Sequence, residues 1–133
     1  MNTLKGHIQS IEVSGGMSVV SVSVGEKLRL KAIVIETPET AAYLKKGGEI
    51  TLMFKETEVV IGTLEDHKIS LQNRIAGRII KIHSGRLLSR LDLETPVGQI
   101  GSIISTSAVN DLGLKVNTPV CAMVKLNEMM LSE

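Results

Sequence analysis

Aromatic side chains are almost missing from this sequence: 133 residues carry one tyrosine, one phenylalanine and no tryptophan. Proteins that hold single-stranded nucleic acid need aromatic platforms for base stacking, set in a basic groove. The groove is missing too, because 15 basic residues face 14 acidic ones for a formal net charge of +1. That near balance leaves no field to gather a polyanion or an anionic membrane, so neither nucleic acid nor membrane is expected as a partner. Cysteine occurs once, as Cys121 in the apolar run Val120 to Val124. A lone thiol there excludes an internal disulfide and reads as a small core residue from a reducing compartment. No apolar run approaches the roughly 18 residues of a membrane span. The first residues mix Lys5, His7 and Gln9 among apolar ones, unlike a signal peptide. A cytoplasmic location is expected.

Catalytic constellations are missing as well. His7, His67 and His83 lie far apart with no metal-ligand spacing, and Cys121 has no second cysteine or nearby histidine. The pairs Glu36 with Glu39 and Glu56 with Glu58 read as solvated edges, not as a catalytic carboxylate pair. Gly15-Gly16 and Gly47-Gly48 lack the phosphate-loop pattern and read as turns. No enzymatic activity, no metal ligated by side chains and no organic cofactor are expected.

What is present is repetition. Asn2-x-x-x-Gly6-x-Ile8-x-x-Ile11 returns as Asn73-x-x-x-Gly77-x-Ile79-x-x-Ile82, and Lys55 returns as Lys125, at a near-constant offset of about 70 residues. A unit of about 60 residues buries only about 60% of its unfolded surface, so the two copies are expected to stabilise each other. The expected organisation is a first repeat over residues 1–64, a linker over 65–72 leading into the second motif, and a second repeat over 73–133.

Each repeat alternates apolar and polar residues and is rich in Val and Ile, the pattern of half-exposed strands. Ser18 to Val24, a turn at Gly25-Glu26-Lys27 and Leu28 to Ala32 form a hairpin, after a first strand near Gly6 to Val13 and a turn at Ser14-Gly15-Gly16. The second repeat places strands near Gly77 to His83, Leu87 to Leu93 and up to Ile104, with turns at Ser84-Gly85 and Thr95 to Gly98. Thr37-Pro38-Glu39-Thr40 followed by Ala41 to Leu44 predicts one short helix; Ser105 or Thr106 caps its counterpart, Ala108 to Leu112. Two more strands follow each helix: Glu49 to Phe54 with Val59 to Ile61, and Val120 to Val124 with Met129 to Leu131. The fold class is mainly β, two tandem five-stranded barrels of the oligonucleotide/oligosaccharide-binding (OB) type, each with one short helix.

The order Ser70-Leu71-Gln72-Asn73-Arg74-Ile75-Ala76-Gly77 before a strand, then Ile104-Ser105-Thr106-Ser107-Ala108 entering a helix that ends Leu112-Gly113-Leu114-Lys115, then Val120-x-x-x-Val124-Lys125, resembles the Mop (molbindin) domain, also called TOBE. The first half matches more distantly, through Asn2, Gly6, Thr37, Leu44, Gly47 and Lys55. The resemblance implies a tandem di-Mop protein that binds molybdate or tungstate, as a store or buffer, at interfaces between units of different subunits in a homo-oligomer, dimer or trimer. It implies a site drawn from Lys55, Lys125, Ser70, Gln72, Asn73, Ser105, Ser107, Thr37 and Thr40.

The chemistry is coherent, because a tetrahedral dianion offers only acceptors and its site needs hydroxyls, backbone N–H groups and a cation. Each residue also has a plainer reading. Hydroxyls at Thr37 and Ser105 are expected as helix caps, a Lys ending an apolar strand usually faces solvent, and Asn2 and Asn73 suit side-chain-to-backbone bonds at a strand entry. The chain departs from the motif at Gln72, which stands where the family has Arg, and at Ala108, which stands where it has Ser. The first repeat has no Ser-x-Arg segment, and Arg74 is the nearest candidate to compensate for Gln72. These departures support a second reading, an interaction or regulatory module with weak or no oxyanion affinity.

Overall fold

The computed structural model describes all residues 1–133. It is mainly β, with ten strands, β1 Asn2–Ser14, β2 Met17–Val24, β3 Leu28–Val34, β4 Glu49–Phe54, β5 Val60–Gly62, β6 Asn73–Ser84, β7 Leu88–Thr95, β8 Gly98–Ser105, β9 Pro119–Val124 and β10 Met130–Ser132. One α-helix, α1, spans Thr106–Asp111, and short 3-10 turns at Glu56–Glu58 and Leu126–Glu128 precede β5 and β10. The hairpin expected over Ser18 to Ala32 is present, because the alternation buries Ser18, Val20, Val22 and Val24 on one face of β2.

The strands form two antiparallel sheets of five, in the orders β10-β4-β1-β2-β3 and β5-β9-β6-β7-β8. Four strands of each sheet come from one repeat and the fifth from the other: β5 pairs with β9, and β10 pairs with β4. The repeats thus exchange their last strands. Each borrowed strand also approaches the far edge of its new sheet, β10 beside β3 and β5 beside β8, so both sheets curl. A single cluster of 25 buried apolar residues runs through both halves, from Leu4 and Phe54 to Val124 and Met129. Neither half owns a separate core, as expected for units too small to bury enough surface alone.

The repeated motif residues each perform the same structural task twice. β1 pairs with β4 over its first residues and with β2 over its later ones, and a bulge between Ile8 and Ser10 marks the change; β6 has the same bulge between Ile79 and Lys81. A bulge bends a strand and tightens its twist, which lets one strand serve two neighbours. At the bend the strands crowd together. A Cβ on Gly6 would sit 2.3 Å from the carbonyl oxygen of Ser23, and one on Gly77 would sit 2.8 Å from that of Glu94.

The helix expected over Thr37 to Leu44 does not form; this stretch is a series of turns, and each repeat does not carry a helix. Thr40 Oγ1 accepts from the Thr37 N–H at 2.9 Å and donates to the Thr37 carbonyl at 3.2 Å. Short hydroxylated side chains compete for the backbone in this way and favour turns over helix. In the second repeat Ser105 accepts from the Ala108 N–H at 3.0 Å and caps a true helix, which Gly113 leaves at φ 63°.

Candidate functional site

Lys55 and Lys125 occupy equivalent places. Each follows the end of its strand in extended conformation and opens a 3-10 turn, with its carbonyl accepting from Glu58 or Glu128 at 3.0 Å. Both side chains are exposed, and neither enters a hydrogen bond or ion pair. Asn73 lies opposite Val124 in the β6/β9 ladder, which sets Gln72 across from Lys125. Gln72 and Ser70 are exposed with uncommitted side chains. The structure therefore brings Gln72 and Lys125 together at one strand end.

Asn73 itself is 2% exposed and fully committed. Its Oδ1 accepts from the Lys31 N–H at 2.7 Å and its Nδ2 donates to the Lys31 carbonyl at 2.8 Å. Asn2 grips Gly101 in the same two-bonded way, at 2.8 Å each. Each amide acts as a one-residue strand partner, Asn73 reaching from β6 to the free edge of β3 and Asn2 from β1 to the free edge of β8. Both atoms of the Asn73 amide are used on backbone, so the strand-fixing reading describes its contacts.

The hydroxyl candidates lie elsewhere. Ser105 caps α1, which packs on β7 and β8, and Ser107 is exposed on its first turn. Thr37 and Thr40 bond to each other's turn. The turn after Lys125 packs on β3 and the turn after Lys55 on β8. At about 3.3 Å per residue, Ser105 stands about 13 Å along β8 from the Asn2 clamp. No hydrogen bond within the chain joins these hydroxyls to Lys55 or Lys125.

Sequence reasoning missed a second set of charges. Glu56, expected to be a solvated edge, accepts from the Met1 amine at 2.8 Å and from Arg90 at 3.2 Å. Arg90 also reaches Asp92 at 3.1 Å, and His83 lies 3.4 Å from the same carboxylate. The hydrogen bond from the terminal amine, followed by one from its own backbone and then Arg90, holds the Glu56 carboxyl down at about 2. Glu36, also expected at a solvated edge, accepts from the Tyr43 hydroxyl at 2.5 Å; burial first, then this bond, pushes the phenol up to about 12. Arg74 donates to the carbonyls of Leu71 at 2.9 Å, His67 at 2.6 Å and Ile69 at 3.3 Å. Its guanidinium thus holds the linker, with Asp66 also 3.5 Å away. Burial raises the pKa of the Cys121 thiol, as fits a core residue. An open groove of about 730 Å³ is lined by Lys5, His7, Glu49 and Glu133 among others. Its mixed charges select no anion.

The TOBE domain family matches residues 69–131. The chain is 31% identical over 64 residues to molybdenum-pterin-binding protein 3 of Clostridium pasteurianum, using 47% of its own length and 94% of that protein's. The chain belongs to the Mop/TOBE family. Across 132 residues, 98% of its length, the chain is 22% identical to the molybdenum transport protein ModE of Azotobacter vinelandii; it spans about half, 49%, of that protein. Its fold matches a crystal structure of the cytoplasmic molybdate-binding protein ModG with molybdate bound. The TM-score is 0.88 at 23% identity, over 98% of this chain and 94% of that one. No helix of the chain is long and apolar enough to cross a membrane.

Proposed function

We propose that this chain reversibly binds molybdate or tungstate in the cytoplasm, as a store or buffer and without covalent chemistry. In this reading each curled sheet is an OB-like barrel, and the sites are completed between units of a homo-oligomer, dimer or trimer. The observation that carries the reading is the uncommitted Lys125 beside the uncommitted Gln72, in a chain of this family. Lys55 repeats the lysine position in the other half. The relatives support the ligand class, being named for molybdenum-pterin binding, molybdenum transport and molybdate binding. The separation of Ser105 from the Asn2 clamp, about 13 Å along β8, suits a site to which a neighbouring subunit brings the hydroxyls. Ser70 is free to join as a donor.

A second reading, an interaction or regulatory module with weak oxyanion affinity, is favoured by one specific observation. Arg74 is consumed by the linker carbonyls, so Gln72 is left to act without the charge of the motif arginine, and charge-assisted hydrogen bonds are about twice as strong as neutral ones. Titration calorimetry with molybdate and tungstate, with sulfate as control, separates the two. Micromolar or tighter binding of the first two but not sulfate supports capture. No heat at millimolar ligand refutes it and favours the module.

A further inference from the structure

The repeat gives the two lysine ends equivalent strand registers and turns, so the residues that differ between them are informative. At the first end, Asn2 clamps Gly101, and the space above that glycine is occupied: a Cβ there would lie 2.5 Å from an Arg90 guanidinium nitrogen and 3.2 Å from Glu56 Cγ. The cations gathered around it, Arg90 and the Met1 amine, are already paired with Glu56 and Asp92. At the second end, Asn73 clamps Lys31 in the place of Gly101, because Lys31 pairs with Ser21 as Gly101 pairs with Asp92. The positions matching Arg90 and Glu56 are Val19 and Leu126, both uncharged. By that equivalence the Cβ of Lys31 leaves β3 towards the turn that holds Leu126, the residue next to Lys125, and this turn packs on β3. Lys31 is exposed and forms no ion pair, and neither lysine pairs with Glu128 on the same turn.

We infer that the two ends are unequal and that Lys31 is a further oxyanion-binding residue, supplying at the Lys125 end the cationic charge that Gln72 does not carry. This rests on the oxyanion reading above and adds to it a residue from the other repeat, delivered by the Asn73 clamp. The first end has no counterpart, since Gly101 bears no side chain and Arg90 is neutralised. A cluster of Lys31, Lys125 and the Gln72 amide offers only donors, the requirement for a tetrahedral dianion.

The test compares molybdate affinity of the intact protein with that of Lys31→Gln and Lys31→Arg by titration calorimetry, with thermal unfolding measured in parallel. The clamp uses only the Lys31 backbone, so both variants keep the melting temperature of the parent. Loss of one charge-assisted contact at an exposed site corresponds to about a tenfold weakening. Lys31→Gln is expected to bind about tenfold more weakly and Lys31→Arg within about threefold of the parent. Parent binding with Lys31→Gln unchanged overturns this inference and leaves the oxyanion reading standing. No binding by the parent overturns both.

Discussion

Replacing Asn73 by Ala removes both bonds of the clamp and leaves the Lys31 N–H and carbonyl without a protein partner. A hydrogen bond contributes about 0.5–1.5 kcal/mol net, and a buried group left unpaired costs about 1–3 kcal/mol. The Asn73 side chain is buried and both of its bonds to Lys31 are part-buried, so water reaches the freed backbone groups only in part and the penalty lies between the two ranges. The expected loss is about 2 kcal/mol, or about 5–8 °C in melting temperature for a protein of this size. Asn2→Ala should cost slightly more, because Gly101 is itself buried. The assay is urea unfolding monitored by far-ultraviolet circular dichroism, which suits a chain with no tryptophan. A loss below about 0.5 kcal/mol for both variants would refute the claim that these amides join the two sheets.

Other outcomes follow from single contacts. Gly6→Ala should destabilise more than Gly77→Ala, because its new methyl meets a carbonyl at 2.3 Å against 2.8 Å; equal melting temperatures would contradict the close approach at the bend. The Glu56 carboxyl is held at about 2, below its ordinary 4.5, so its contribution is present above pH 4.5 and is lost as pH falls towards 2. A partly exposed network of this kind is worth about 1 kcal/mol or less, so the melting temperature of the parent should exceed that of Glu56→Gln by a few degrees at pH 7 and match it near pH 2. Tyr43, the one tyrosine, should ionise near pH 12 in an absorbance titration. A raised phenol contributes stability that is complete below pH 10 and lost as pH rises through 12, and Glu36→Gln should move the titration down towards 10.

The strands were legible where one face is buried. Ser18 to Val24 alternates strictly because Val20, Val22 and Val24 point into the core. The repeated Asn and Gly signalled a duplicated structure before any contact was known. The exchange of last strands was not legible: Val60–Gly62 and Met130–Ser132 are three residues each, too short for a pattern that names a partner. The first helix was misread because Thr37 and Thr40 look like a cap and instead close a turn on each other.

At the candidate site, the equivalent placing of Lys55 and Lys125 was legible from the repeat, and side-chain-to-backbone bonding by Asn73 was one of two readings, but its double grip on Lys31 in the other half was not. Lys31 was invisible, since an outward lysine in an alternating strand carries no signal until the clamp is seen. The Glu56–Arg90–Asp92 network was equally hidden, because its members are separated by up to 36 positions and meet only when the turn after β4 packs on β8.

The most direct measurement is anomalous diffraction from crystals of the protein grown with tungstate. The account predicts a tungsten peak within about 4 Å of a Lys125 ammonium, with the Gln72 amide facing the same anion and hydroxyls of a neighbouring subunit completing the shell. A structure with the lysine ends empty at saturating tungstate, or with tungsten bound only away from Lys125 and Lys55, would contradict it.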